Sequence, residues 1–507
     1  VVADDVFVFH KGSSSFTAAA RPQQLANDEI VYERYPTYRG GVSRFASDPY
    51  SPLAAAINRA SFQLRQPTIA IDGHCFGWAW AGTQQLTFEV IRSLAEARPD
   101  QKFTVLFSEH APQHIIEEIT NASNVSAEVI ANIMEDRQYR FDLVIRPHQV
   151  NSTEELRWLK RIAGRCIVGQ LDFISFHNPT YFASDHDWLS QRELTRLTIA
   201  SVDGVAWISK YCLEDGRRSG IVTGDAVHRV TYCGTNPTHR TATSQRPLGL
   251  HSTAPFLTVL GVNYLHKNRI FAIKVLERLV ASSVDCHLVL AGATPKYGSS
   301  ENAEQNYLAE HAHLAPHITV LDAITEDEKQ WLVSHSALIL YPSLAEGFGL
   351  VPFEAARLGT PTLSSRLTSL DEILPTEIPT VSDFDIARTA DQVTQILSDS
   401  SLSVSIVDEL VKRGNLFSWQ RAAREFLSLI DEVLGSSKNR VDAIWAEAPV
   451  MSQIHTRDYL ERIAKLNRVS QRVSRANNRK FIRVIVGPPG SRRRQFLKRI
   501  PGLSSRG

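Results

Sequence analysis

Between Pro67 and Leu434 short apolar runs alternate with stretches of helical periodicity, and the alternation stops and restarts once. The first series is TIAID, FTVLF, FDLVI, RCIVG and GVAWIS. Between these runs apolar residues recur at helical spacing, as with Leu86, Val90, Ile91 and Leu94, and helices are predicted over Ser190–Ser201 and Tyr211–Gly220. A run that is apolar throughout suits a strand buried on both faces. Strands of that kind separated by helices specify a parallel sheet covered on both sides. A polar stretch from Asn236 to Thr253, carrying Pro, Thr, Ser and Arg, reads as a linker. Beyond it FLTVLG, CHLVLAG, ITVLD, ALILYPS and TPTLSS repeat the pattern, with the helix NRIFAIKVLERLV after the first. The expected fold class is therefore α/β, with two doubly wound domains facing each other across a cleft. In such sheets ligands lie beyond the carboxyl ends of the strands.

This reading divides the chain into an N-terminal extension (residues 1–66), a first domain (67–240), a second domain (241–436) and an appendage (437–507). The stretch Gln23–Tyr50 shows no clear period, whereas Pro52–Gln63 predicts a helix. The helical stretch WQRAAREFLSLIDEVLG is expected to close the second domain. A chain of 507 residues has room for two or three domains at roughly 150 residues each, and needs no covalent staples to hold a core. The five cysteines are scattered with no C-x-x-C pair, which argues against a disulfide framework or a zinc site and for a reducing compartment. No apolar run has the length of a membrane span, and no signal-peptide pattern opens the sequence, which starts at Val1 and reads as a piece excised from something longer. A cytoplasmic location is expected.

Net charge is +1, unevenly spread: Gln471–Gly507 holds eleven Lys and Arg with no Asp or Glu, and the rest is net acidic. Apolar residues such as Phe481, Ile482, Phe496 and Leu497 interleave with that charge. Such a tail suits an anionic membrane surface. A disordered solubilising tail, or one packed on the first domain, fits the same residues. Nucleic acid is not an expected partner, for no aromatic ladder or recognised module accompanies the charge. The string VGPPGSRRRQ lacks the G-K-[ST] ending of a phosphate loop.

The string that carries chemistry is YPSLAEGFGLVPFEAARLGTPTLSS, Tyr341–Ser365. It reads as a buried strand, a Gly-flanked turn (Gly347, Phe348, Gly349, Leu350) and a helix. Two glycines around Phe348 allow close backbone approach to a ligand, and a helix start offers free N–H groups to an anion. Glu346 in the turn and Glu354 in the helix are placed to face one ligand and grip hydroxyls.

The whole string resembles the donor-site signature of glycosyltransferase family 4, within the two-domain GT-B class of paired Rossmann-like folds. The match comprises E-x7-E, the GFGL turn, the EA helix and the following G-x-P strand. LTVLGVNYLHKNRIFAIKVLERL resembles the family's first strand, loop and helix of the donor domain. There the resemblance gives Lys267 the donor phosphates, while the Arg many members carry after the strand's Gly is Val262. TIAIDGHCFGWAWAGTQQLTFEV resembles the opening of the first, acceptor-side domain, with Gly82 as its phosphate-approaching glycine. VGQLDFISFHNPT resembles the family's HD segment, keeping Asp172 but reading Leu171 at the His. GVAWISKYCLEDG places Ser209 and Lys210 toward the cleft. His74, His148 and His177 each follow a predicted strand and are candidates for substrate contact. The resemblance implies retaining, metal-independent transfer of a hexosyl or deoxyhexosyl unit. The donor would be a UDP-, GDP- or dTDP-sugar, the acceptor a glycan or lipid-linked molecule, and no further cofactor is needed. Glu346 would hold sugar hydroxyls and Glu354 the ribose. A catalytically inactive sugar-nucleotide or glycan-binding module is the competing expectation, fed by Val262 and Leu171.

Overall fold

The computed structural model describes residues 29–47, 56–57, 60–61 and 65–436, apart from residues 79, 135–140, 223–225, 236–243, 253 and 382. The basic tail lies outside the described residues, as does most of the helix expected over Pro52–Gln63.

Two parallel sheets form. The first has seven strands: β1 (Ile69–Asp72), β2 (Phe103–Phe107), β3 (Val125–Val129), β4 (Leu143–Arg146), β5 (Cys166–Gln170), β6 (Gly204–Trp207) and β7 (Val227–Val230). Their order in space is β3-β2-β1-β4-β5-β6-β7. The second has six: β8 (Phe256–Leu260), β9 (His287–Ala291), β10 (Ile318–Leu321), β11 (Leu338–Tyr341), β12 (Thr362–Ser365) and β13 (Thr380–Val381), in the order β10-β9-β8-β11-β12-β13. This is the GT-B architecture. In each sheet the chain winds outward from its first strand in one direction, then returns to wind the other way. The crossing points lie between β1 and β4 and between β8 and β11, which pair in parallel. At such a switch point the loops above the two strands diverge and leave a crevice.

The first sheet shows why its strands are apolar throughout. Ile69, Ile71, Phe103, Val105, Leu143 and Ile145 join one buried cluster. Ala70, Leu106, Val144, Val168, Val205 and Trp207 join another. Successive side chains on a strand alternate in direction, so neither face is left for polar residues.

Three findings depart from the sequence reading. Strands β3, β7 and β13 were not expected: β3 reads VSAEV with Ser126 and Ala127 exposed, β7 is only half-buried, and β13 has two residues. Strands near or at a sheet's margin lack the apolar run that reveals a central one. Secondly, a helix spans Tyr38–Ser47 inside the stretch read as irregular; its residues up to Ser43 are exposed, so no buried stripe imposes a period. Thirdly, the helix Trp419–Gly435, expected to close the second domain, lies along the helix Gly82–Ala97 and along β6 and β7 of the first. Arg98 is bidentate to Asp431 at 2.7 and 2.6 Å, and Arg229 reaches Glu425 and Glu432 at 3.2 and 2.9 Å. The amphipathic pattern gave the helix but carried no information on which sheet it covers. Among the described residues no helix is long and apolar enough to cross a membrane.

Candidate functional site

The second sheet's switch point brings together Lys267 and Glu346. After β8 the loop passes through a turn of 3-10 helix, Leu265–Lys267, and Asn268 in the left-handed region (φ 53°) starts the helix Arg269–Ala281. This turn aims Lys267 across at the loop following β11. Its Nζ donates to Glu346 Oε1 at 2.7 Å and lies 3.4 Å from the Tyr341 hydroxyl. Both ends of the pair are largely buried, at 14% and 10% side-chain exposure.

Burial pushes the Glu346 carboxyl up, but Lys267 and the hydroxyls of Tyr341 and Ser343 outweigh it and hold the group below the usual range. A charged carboxylate is thus kept ready in a site poor in water. Its backbone is fixed as firmly: Glu346 N donates to Thr368 Oγ1 at 2.9 Å, and Ser369 Oγ donates to Glu346 O at 2.8 Å. Thr368 itself is held at φ 56°, unusual for a β-branched residue. Tyr341, Thr368 and Ser369 were not assigned roles from sequence. Tyr341 and the string YPS could have been flagged as the strand end that frames the turn; the two hydroxyls, over twenty positions away, carried no local signal.

The turn's glycines are also required by packing. A Cβ on Gly347 would run into the Leu171 carbonyl of the first domain, and Gly349, at φ 102°, lies against Leu370. The Phe348 side chain is buried with Phe353 and Phe417, so that residue offers only its backbone. Leu350 forms the N-cap of a short helix, Val351–Arg357, with Pro352 in its first turn. Glu354 does not share a partner with Glu346: it pairs with Lys329 at 3.1 Å and is about a third exposed, at the rim of the site.

Around this turn the two domains touch. Asp172 is buried near Glu346 and Lys267; burial, with the Glu346 charge adding to it, raises its pKa despite an N–H from Ile174 at 2.9 Å. The His266 backbone N–H donates to the Tyr181 hydroxyl at 3.2 Å, and the His266 Nδ1 lies 2.8 Å from it. Burial and the neighbouring Lys267 lower the His266 pKa to about 4. Ser209, expected to face the cleft, is buried as the N-cap of the helix Lys210–Arg218, accepting from Cys212 N at 3.1 Å. The free N–H groups of Lys210 and Tyr211 donate across the interface to Glu372 at 3.0 and 2.6 Å. A helix start attracts an anion, and here a carboxylate of the second domain supplies it. His177 pairs with Asp215 at 3.0 Å and is half exposed. A cavity of about 240 Å³ opens between the domains, lined by Asp172, His177, Tyr181, His266, Glu346 and Thr368 among others.

The first sheet's switch point is built differently. Asp72 ends β1 and Arg146 ends β4, both fully buried and 3.3 Å apart. Arg146 also donates to Glu155 at 2.6 Å and to the Gln149 carbonyl at 3.1 Å. Burial pushes Asp72 up, but Arg146 and His74 outweigh it and hold it well below the usual carboxylate range. His74 Nδ1 lies 2.9 Å from Asp72 Oδ1. His148 is buried beside it, with ring centroids 5.4 Å apart, and burial together with Arg146 lowers its pKa to about 3. Gly82 begins the helix Gly82–Ala97 at the end of the same loop, with open space where a Cβ would stand.

Two parallel Rossmann-like sheets, the second with this lysine–glutamate pair at its switch point, make up the GT-B architecture. Residues 241–412, most of the second domain, match the family described as glycosyl transferases group 1. The gpi3 subunit of phosphatidylinositol N-acetylglucosaminyltransferase from Schizosaccharomyces pombe is 24% identical over 254 residues, covering 49% of this chain and 53% of the relative. The serotype-specific mannosyltransferase WbdA of Escherichia coli is 30% identical over 146 residues, which is 29% of this chain and 18% of WbdA. The chain thus spans about half the length of the first relative and a smaller part of the second. Among solved structures, sucrose-phosphate synthase from Thermosynechococcus elongatus superposes with a TM-score of 0.54 at 17% identity, over 73% of this chain and 100% of that one. HepE of Anabaena, solved with UDP and glucose, superposes with a TM-score of 0.51 at 14% identity, over 72% and 99%. These structural likenesses establish the fold.

Proposed function

We propose that this protein is a retaining, family 4 glycosyltransferase that moves a hexosyl or deoxyhexosyl unit from a nucleotide-sugar donor to a glycan or lipid-linked acceptor without a bound metal. The observation that carries this reading is the buried Lys267–Glu346 pair at the switch point of the second domain. A donor's diphosphate takes the Lys267 ammonium, which stabilises the charge that develops as the bond to the sugar breaks. Glu346, freed from that contact, turns to the sugar hydroxyls, and Glu354 at the rim takes the ribose. The acceptor oxygen bonds to the sugar carbon on the face the phosphate leaves, and its proton passes to the departing phosphate. The first turn of the helix Gly82–Ala97 offers further N–H groups to the phosphate. The names of the gpi3 subunit and WbdA, both sugar transferases, support the class, and HepE's complex with UDP and glucose supports the donor type.

A thermal-shift screen of UDP-, GDP- and dTDP-sugars tests the reading, because a ligand bound by the folded state alone raises stability by mass action. One nucleotide series is expected to raise Tm and to be slowly hydrolysed. Binding without any hydrolysis or transfer would turn the reading into an inactive sugar-nucleotide-binding module, and no binding at all would end it. We further place the protein in the cytoplasm, peripheral on an anionic membrane face through Gln471–Gly507. Sedimentation with anionic vesicles at low salt, lost on truncation near Ser470, checks that placement.

A further inference from the structure

One carboxylate ties the two domains together at the edge of the cleft. Glu372 stands in the short helix Ser369–Ile373 of the second domain, the helix whose Ser369 holds the Glu346 carbonyl. Its two oxygens accept from Lys210 N at 3.0 Å and Tyr211 N at 2.6 Å, the first N–H groups of the helix Lys210–Arg218 in the first domain. The hydroxyl of Tyr232, just after β7, donates to the same carboxylate. Three donors of one domain thus converge on a single anion of the other, at the positive end of a helix. The anion is also firmly rooted. Arg413 donates to the backbone carbonyls of Glu372 and Ile373 at 2.6 and 2.8 Å, so a pull on the carboxylate is carried into the second domain.

The space behind this seat has no slack. The cavity between the domains measures about 240 Å³, with Tyr211 in its wall together with Tyr181 and His266, which bond across the interface. Ligand pockets run to roughly 300–1,000 Å³, and a nucleotide sugar, with base, ribose, diphosphate and sugar in a row, is a large ligand. Gly347 already lies so close to the Leu171 carbonyl that a Cβ would not fit. Cys212, in the seated helix, is 2% exposed, and its Sγ lies 3.2 Å from the Leu171 carbonyl and 3.5 Å from that of Gly347, one from each domain. Walls that meet through backbone do not widen by turning side chains; the cavity grows only if the domains part.

We propose that Glu372 is an autoinhibitory latch: its seat on the helix Lys210–Arg218 holds the cleft shut, and release of that seat is the step that admits a nucleotide sugar. While the latch is closed, Lys267 stays paired with Glu346. The inference rests on the glycosyltransferase reading only for what enters the cleft; the latch itself is a property of the chain.

Cys212 reports on it. In the full chain, without any nucleotide, the rate at which iodoacetamide alkylates each cysteine is followed by peptide mass spectrometry. Cys166 in β5 and Cys286 beside β9, both 1% exposed, report global unfolding. Glu372→Gln removes the charge. Lys210→Pro removes one N–H at the first helical position, where proline is tolerated, and Ser209, at φ −150° and ψ 160°, accepts a proline after it. Each variant is expected to speed Cys212 alkylation roughly ten- to a hundredfold, the range for losing a hydrogen bond to a charged group, with Cys166 and Cys286 unchanged. Cys212 alkylation that is unchanged in both variants, or that rises in step with Cys166 and Cys286, overturns the latch. Selective opening in both variants, with no UDP-, GDP- or dTDP-sugar bound by any of the three proteins in calorimetry, would leave the latch standing and strike the donor reading instead.

Discussion

The two switch points have the same topology and opposite chemistry. That of the second domain keeps a cation and an anion 2.7 Å apart with little water around them. That of the first domain pairs its buried Asp72 and Arg146 with each other and adds two half-exposed indoles, Trp78 and Trp80, and the buried His148 imidazole, whose pKa burial lowers. A sheet's winding decides where a ligand goes; the side chains above the two strands decide which half of a reaction is held there. A buried lysine paired with one carboxylate is a cation a phosphate group can compete for, whereas at the first switch point Arg146 is taken up by Asp72 and Glu155.

The sharpest break between the halves is expected at Glu346. Glu346→Gln keeps the shape and removes the charge, and turnover should fall by roughly 10²-fold or more, since charge-assisted contacts in a dry site are strong. Circular dichroism should show an intact fold, and near-normal activity would remove Glu346 from the site. Next in size is Lys267→Ala, expected to weaken nucleoside diphosphate binding by roughly 10- to 100-fold, the range for hydrogen bonds to charged groups. Nucleoside binding should hardly change, and equal losses in calorimetry would show that Lys267 does not read phosphate.

A smaller effect separates the first domain by pH. His148 has its folded pKa lowered to about 3, against an ordinary value near 6.5. Between these values the unfolded chain binds a proton that the folded chain refuses, so its contribution to stability falls as pH falls from about 6.5 to 3. His148→Phe should flatten that acid limb. Urea midpoints at pH 4.5 and 7.5 that fall equally in both proteins would remove His148 as a cause. The smallest effect expected is none: transfer should survive EDTA, and loss restored by Mg²⁺ or Mn²⁺ would contradict the division of labour, because a metal would then be meeting the diphosphate.

The second switch point was far more legible in sequence than the first. Glu346, the turn and the helix after it lie in one continuous string, and Lys267 lies in a strand–loop–helix string that resembles the family's, so both stood out in sequence. What the string could not tell was direction. Gly347 also packs against the Leu171 carbonyl, a contact between domains that no local string announces. Likewise Ser209 and Glu372 cooperate at one helix start from far apart in the chain. In the first domain His74 and His148 stood out only as polar residues after strands. Their partners, the Asp72 carboxylate and the Gln149 carbonyl, are brought to them by a loop geometry with no periodic signature. The central strands were legible because both faces are buried; β3 and β7, lacking apolar runs, were not.

The helix Trp419–Gly435 has a kinetic consequence. It follows the entire second sheet in the chain, yet it covers the flank of β6, β7 and the helix Gly82–Ala97 in the first. During synthesis from the N-terminus the first sheet is therefore made early and finished late. Its uncovered flank waits, apolar and sticky, until the last helix emerges, and bringing these distant segments together carries a loop-closure cost that slows folding. Separate expression of residues 67–240 should yield an aggregation-prone half, and adding the helix as a peptide should rescue it more effectively than adding any segment of the second sheet.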